Sequence, residues 1–193
     1  MVDKVVNILD MMELIGEDGV KQILSDFSCP LNMEIENFVH NNAIDFAKRK
    51  MSVTFLVFNE NGMLSGIFAL THKAIEISAE GMSGAARKKL GRYAYLDEQS
   101  QSYTVSAFLI GQFGKNYKDG VDYGIDGNAL MNSAISKLIS VQHEVGGGVV
   151  YLDCEEKEPL IQFYSSDNNR FKRCGEHISK VDNTKYVRMI RLF

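Results

Sequence analysis

Residues 102–154 constrain the fold more than any other stretch. Ser102 to Gly114 (SYTVSAFLIGQFG) is a continuous apolar run, as expected of a strand buried on both faces. A loop from Lys115 to Gly127 comes next, dotted with Gly120, Gly124 and Gly127. Ala129, Leu130, Ala134, Ile135, Leu138, Ile139 and Val141 then recur at helical spacing, and Gly146-Gly147-Gly148 stops the helix. Val149 to Cys154 (VVYLDC) reads as a second buried strand. Strand, helix and strand in this order form a βαβ crossover between parallel strands. The chain is therefore expected to be α/β, with a mixed sheet and helices on both faces.

The flanking sequence fills in that sheet. Val5-Val6-Asn7-Ile8-Leu9 is β-rich, and Gly16 and Gly19 punctuate the residues after it. Val20, Ile23, Leu24 and Phe27 return to helical spacing. Asn32 predicts an N-cap, with Glu34 and Glu36 suited to the positive end of the helix dipole. Ile35, Phe38, Val39, Ala43, Phe46 and Ala47 form the apolar face of that helix. Val53–Phe58 and a strand within residues 63–77 flank Asn59-Glu60-Asn61-Gly62, a strong hairpin signal. Residues 79–93 predict a short helix or loop. Glu156–Ser165 reads as a short helix, and 170–174 with 185–193 as closing strands. With no repeat, low-complexity stretch or Pro/Ser-rich linker, residues 1–193 read as one domain.

Charge narrows the partners. The formal charge is −4, which disfavours a general nucleic-acid binder. That total hides alternating blocks. Residues 1–47 balance to −7, 48–92 to +5, 93–155 to −5 and 156–193 to +3. The basic blocks centre on Lys48-Arg49-Lys50, on Arg87-Lys88-Lys89 with Arg92, and on Arg170, Lys172 and Arg173. Each reads as solvated surface or as a local site for an anion. Cys29, Cys154 and Cys174 are odd in number and lack C-x-x-C spacing, so reduced thiols are expected, with no disulfide framework and no metal site. The N-terminal residues do not read as a signal peptide, no apolar run reaches the length needed to cross a bilayer, and the expected location is the cytoplasm.

Two segments could carry chemistry. The loop glycines allow a close backbone approach, and the helix starting near Asn128 presents unpaired N–H groups, together a phosphate cradle. Glycines before a helix also serve as plain turns, and Asp119, Asp122 and Asp126 repel phosphate. Phe163-Tyr164 ends the helix after the next strand, where a phenol can donate a proton to a leaving thiolate. An aromatic there also serves as packing.

Taken in order, these segments resemble the GNAT superfamily of N-acetyltransferases. LIGQFGKNYKDGVDYGIDGNALMNSAI looks like the segment in which a Q/R-x-x-G-x-G/A loop grips the pyrophosphate of acetyl-CoA. VVYLDCEEKEPLIQFYSSDNNRF looks like the family's later strand and helix, and places Tyr164 on the general-acid tyrosine. The resemblance covers most of 50–193. Gly127 sits on a family glycine, while Asp122 and Ile125 stand where Gln/Arg and Gly are usual. DFSCPLNMEIENFVHNNAIDFAKRKMSVTFLVF, followed by GMLSGIFAL, is similar to the entry segment of GNAT toxins that acetylate aminoacyl-tRNA, with Phe27-Ser28-Cys29 as their F-x-C motif.

The resemblance implies a GNAT-like, mostly antiparallel sheet and direct acetyl transfer from acetyl-CoA to a primary amine. Phe113, Gly114 and Lys115 would bind the pantetheine arm. Gly124, Ile125, Asp126, Gly127, Asn128 and Ala129 would hold the phosphates. Tyr164 would protonate the leaving thiolate. Asp153, Glu155 and His72 are candidate bases, and Cys29 and Cys154 are less suited nucleophiles, since no histidine is sequence-linked to either. A small-molecule or peptide amine is the expected acceptor. The acidic balance disfavours tRNA, and a homodimer is compatible with the fold. The alternatives are the toxin-type reaction on aminoacyl-tRNA and a degenerate, non-catalytic acyl-CoA binder.

Overall fold

A computed structural model describes residues 4–179 and 183–193. The elements run β1 (Lys4–Asn7), α1 (Ile8–Leu24), α2 (Met33–Asn41), α3 (Ala43–Lys48), β2 (Val53–Phe58), β3 (Leu64–Ser78), α4 (Gly84–Leu90), β4 (Leu96–Asp97), β5 (Ser102–Lys115), α5 (Gly127–Val145), β6 (Val149–Glu155), α6 (Glu158–Ser165), β7 (Lys172–Ile178) and β8 (Lys185–Leu192). The sheet order is β1-β2-β3-β5-β6-β8-β7, with β4 on β5. β1–β2, β2–β3, β4–β5, β6–β8 and β7–β8 are antiparallel. β5 and β6 are parallel, at Phe108↔Val150 and Leu109↔Tyr151. The crossover through α5 is thus as expected. Among the described residues no helix is long and apolar enough to cross a membrane.

The described residues fall into two compact units, one within Met1–Thr71 and Ile110–Lys137, the other within His72–Leu109 and Leu138–Phe193. The first has a core of Ile8, Val20, Leu24, Phe27, Phe38, Val39, Leu56 and Ile67. Full burial of a side chain such as Phe27 or Leu24 stabilises by roughly 1.5–3 kcal/mol. The second has a core of Ile75, Ile77, Leu90, Tyr103, Val105, Val149 and Tyr151.

Local chemistry explains where the elements depart from expectation. The first strand stops at Asn7, because the Asn7 side chain accepts from the Leu9 N–H (2.8 Å) and caps α1. Ile8 and Leu9 are therefore helical. Gly16, at φ 75°, kinks α1 in a conformation that L residues rarely adopt. The Asn32 cap holds, accepting from the N–H groups of Glu34 (3.1 Å) and Ile35 (3.3 Å). The helix it starts breaks at Asn42, at φ −120° and ψ −29°. In the hairpin, Gly62 takes φ 74°, and Asn59 Oδ1 accepts from Asn61 and Met63. β5 is not buried on both faces: Thr104, Ser106 and Gly111 are exposed, while Val105, Ala107, Phe108 and Ile110 are buried. The polar side chains in that run mark its wet face.

Candidate functional site

In the first unit, the end of β5 and the start of α5 meet on a glycine. A Cβ on Gly66 of β3 would stand 3.1 Å from the Gly114 carbonyl oxygen and 3.2 Å from both methyls of Leu130. Only a residue without a side chain lets the three segments approach so closely. Gly114 is itself packed against Ile35 and Cys29. Phe113, Gly114 and Lys115 thus end β5 beside the helix that carries Gly127, Asn128 and Ala129.

Asn116 fixes that end, a role not apparent from sequence. Its side chain is buried and makes four bonds. Nδ2 donates to the carbonyls of Asp26 and Leu64, both at 2.8 Å. Oδ1 accepts from the N–H groups of Ser28 (2.8 Å) and Lys118 (3.1 Å). An amide can offer little more than this. The Phe27-Ser28-Cys29 motif is seated by the same knot. Phe27 and Cys29 are buried, His40 Nε2 donates to the Phe27 carbonyl (2.8 Å), and Glu36 accepts from Cys29 N–H (2.7 Å) and Ser28 Oγ (3.0 Å). Those two donors hold the Glu36 carboxyl below its ordinary range.

Within the loop, the Gly120 N–H donates to the Tyr117 carbonyl (3.0 Å) and the Val121 N–H to the Lys118 carbonyl (3.1 Å). Gly120 and Gly124 take φ 71° and 82°. Asp122 Oδ1 accepts from the Gly124 N–H (3.0 Å), and its other oxygen binds Lys115 Nζ at 2.6 Å. Lys115 and then Gly124 hold the Asp122 carboxyl below its usual value. The Gly124 N–H, expected to face a phosphate, is thus engaged by Asp122. Ile125 is buried in the core rather than lining the loop. Leu130 N–H returns to the Asp126 carbonyl (3.0 Å), so the first-turn N–H groups of α5 belong to Gly127, Asn128 and Ala129.

In the second unit, Tyr164 ends α6 and is buried. Its ring lies 5.1 Å from that of Phe163 and 6.1 Å from that of Phe171, both edge-on. Burial, with a smaller contribution from Cys154, pushes its phenol above the ordinary tyrosine value, so it stays protonated. The turn after α6 is fixed by Phe171 N–H to the Tyr164 carbonyl (2.9 Å) and by Asn169 Nδ2 and Ser166 Oγ, both 2.8 Å from the Phe163 carbonyl.

Of the candidate bases, Asp153 is held by Arg188 through two bonds (2.8 and 2.9 Å), and Glu155 pairs with Lys157 (2.5 Å). His72 shares a hydrogen bond with Ser106 (2.8 Å) on the exposed face of β5. Burial raises the thiols of Cys29 and Cys154, the latter to about 11, which opposes nucleophilic use. Among the described residues no group of three or more His, Cys, Asp or Glu is placed to hold a metal.

The element order and sheet define a GNAT-like fold, and solved structures of that kind bear this out. KacT, solved as a tyrosine-to-phenylalanine mutant, is similar at TM-score 0.62 and 12% identity, over 96% of this chain and 94% of that one. AtaTR bound with acetyl-CoA is similar at 0.59 and 10% identity, over 99% and 93%. AtaT complexed with acetyl-methionyl-tRNAfMet is similar at 0.58 and 12%, over 84% and 85%. At these identities the likeness establishes the fold. Sequence comparison matches the chain to no family model and to no curated protein.

Proposed function

We propose that the protein is an N-acetyltransferase that moves an acetyl group from acetyl-CoA to a primary amine by direct transfer. One observation carries this reading: nearly the whole chain shares the fold of AtaTR, solved with acetyl-CoA bound. Acetyl-CoA supplies the acetyl group as a thioester. In this reading backbone groups at Phe113, Gly114 and Lys115 bind the pantetheine arm and polarise the carbonyl. First-turn N–H groups at Gly127, Asn128 and Ala129 face the phosphates, helped by the positive end of α5. Asp122 replaces the basic side chain usual in that loop and opposes the phosphates, so this chain leans on its helix start. The amine forms the new C–N bond as the C–S bond breaks, and its proton passes to water, from which the phenol is later reprotonated. Tyr164, kept protonated by burial, gives its proton to the sulfur. Release of free coenzyme A thiol, measured with a panel of small and peptide amines, tests the reading. No release with any amine, together with no binding of acetyl-CoA, overturns it.

A second reading is acetylation of the amine on aminoacyl-tRNA. It rests on α4 and the turn after it, where Lys88, Lys89 and Arg92 are exposed and, among the described residues, form no ion pair, near the exposed Tyr95. By contrast Lys48 is taken by Glu17 and Arg49 by Asp45, so the block at 48–50 is largely neutralised. Binding of tRNA that falls steeply with salt, and is lost with Lys88→Ala and Lys89→Ala together, supports this acceptor.

A further inference from the structure

The basic residues that close the chain have different fates. Arg173 is engaged by Glu156 (2.7 Å) and by Glu176, and Arg188 by Asp153. Arg170 and Arg191, which lie 21 positions apart in sequence, have no such partner: among the described residues neither forms an ion pair. Both instead anchor on one turn. Arg170 Nε donates to the Asp167 carbonyl (2.9 Å), and Arg191 Nη1 to the Asn169 carbonyl (3.0 Å). Asp167 thus gives Arg170 its backbone oxygen. The turn is rigid, because the N–H groups of Asn169 and Arg170 both return to the Ser166 carbonyl and Arg170 takes φ 59°.

Arg191 is half-buried on β8, opposite Val150 of β6. Burial first, and the Arg170 charge second, hold its guanidinium below the ordinary arginine value. The two like charges act on one another, both are anchored on the same turn, and among the described residues neither is paired with a carboxylate. A half-buried, uncompensated charge is costly, and each guanidinium has spent one donor of five. The remaining donors suit the oxygens of a tetrahedral anion, which guanidinium forks bind in pairs.

We propose that Arg170 and Arg191 form a binding site for a phosphate-type oxyanion, either a free ion or the end of a phosphate monoester. The site does not depend on the acyl-transfer reading. Calorimetric titration with inorganic phosphate and with adenosine 5′-monophosphate, at constant ionic strength, tests it. Wild-type protein binds at least one of the two, and Arg170→Ala weakens that binding by about tenfold or more, the loss of one charge-assisted contact. Arg170 is exposed, so its removal leaves the melting temperature close to wild type. Arg191→Lys, which keeps charge but loses the fork, weakens binding as well, whereas Lys73→Ala, at an exposed lysine on β3, leaves it unchanged. Binding of phosphate alone identifies a free ion, and tighter binding of the nucleotide a monoester. No binding of either probe, or equal binding by wild type and Arg170→Ala, overturns the site.

Discussion

The turn after β5 and the end of α6 carry the two halves of the candidate chemistry, and they are built differently. The turn is polar: Asn116 makes four bonds, Asp122 ties down Lys115 and Gly124, and the loop carries Asp119 and Asp126 as well. Tyr164 sits among rings, with its nearest aromatic neighbours edge-on and a protonated Cys154 thiol beside it. A dry, aromatic surrounding keeps a phenol protonated and suits a proton donor. A loop whose Gly124 N–H is taken by Asp122 leaves fewer donors for a phosphate. In the proposed reading the proton donor is therefore kept protonated by its surroundings, while phosphate binding falls to the start of α5.

The sharpest break would come at the aromatic end. Tyr164→Phe keeps the ring packing and removes the proton, so kcat for thiol release falls by about a hundredfold or more, with acetyl-CoA affinity within about twofold of wild type. An unchanged kcat would show that the ring is packing alone. At the polar end the large effect is on stability. Asn116→Ala strands the Ser28 N–H and the carbonyls of Asp26 and Leu64, and costs about 3 kcal/mol in urea unfolding. A loss under about 0.5 kcal/mol would mean that water replaces the amide without penalty.

Smaller effects refine the contrast. Asp122→Asn keeps an acceptor for the Gly124 N–H and removes the charge that, in the proposed reading, opposes the phosphates, so acetyl-CoA is expected to bind about threefold tighter by titration. Weaker binding would instead assign Asp122 to holding the loop in shape. The pH dependence is smaller still. The Asp122 carboxyl lies below its ordinary value, through Lys115 and then Gly124. A group depressed on folding stabilises above its unfolded value and loses that contribution as pH falls through the folded one. Acid titration of wild type, compared with Asp122→Asn, therefore shows the wild type losing slightly more stability below the usual carboxylate range. Identical acid curves would mean that the Lys115–Asp122 pair contributes nothing to folding.

Legibility follows the range of the interactions. The hairpin at 53–78 is readable because Asn59 and Gly62 act within four residues, and the Asn32 cap because its partners lie two and three residues on. The crossover from β5 to β6 is plain from periodicity and the Gly146–Gly148 stop. The start of α1 is hidden, because Val5 to Leu9 is β-branched and apolar while one side chain, Asn7, turns the backbone. Asn116 cannot be read at all: its partners Asp26, Ser28 and Leu64 lie 52 to 90 residues away. The same holds for Arg170 and Arg191, where β8 brings a distant arginine to the turn. At the candidate site, Tyr164 and Gly127 emerge through a motif, whereas the engagement of Gly124 by Asp122 depends on a local turn that motif spacing does not express.

Calorimetric titration of wild type and Tyr164→Phe with acetyl-CoA, followed by addition of an accepted amine, bears on acetyl transfer without an intermediary. Both proteins are expected to bind with micromolar affinity, and only wild type to go on to release coenzyme A thiol. No heat of binding up to high micromolar acetyl-CoA, in a protein that is folded by its melting curve, would contradict an acetyltransferase.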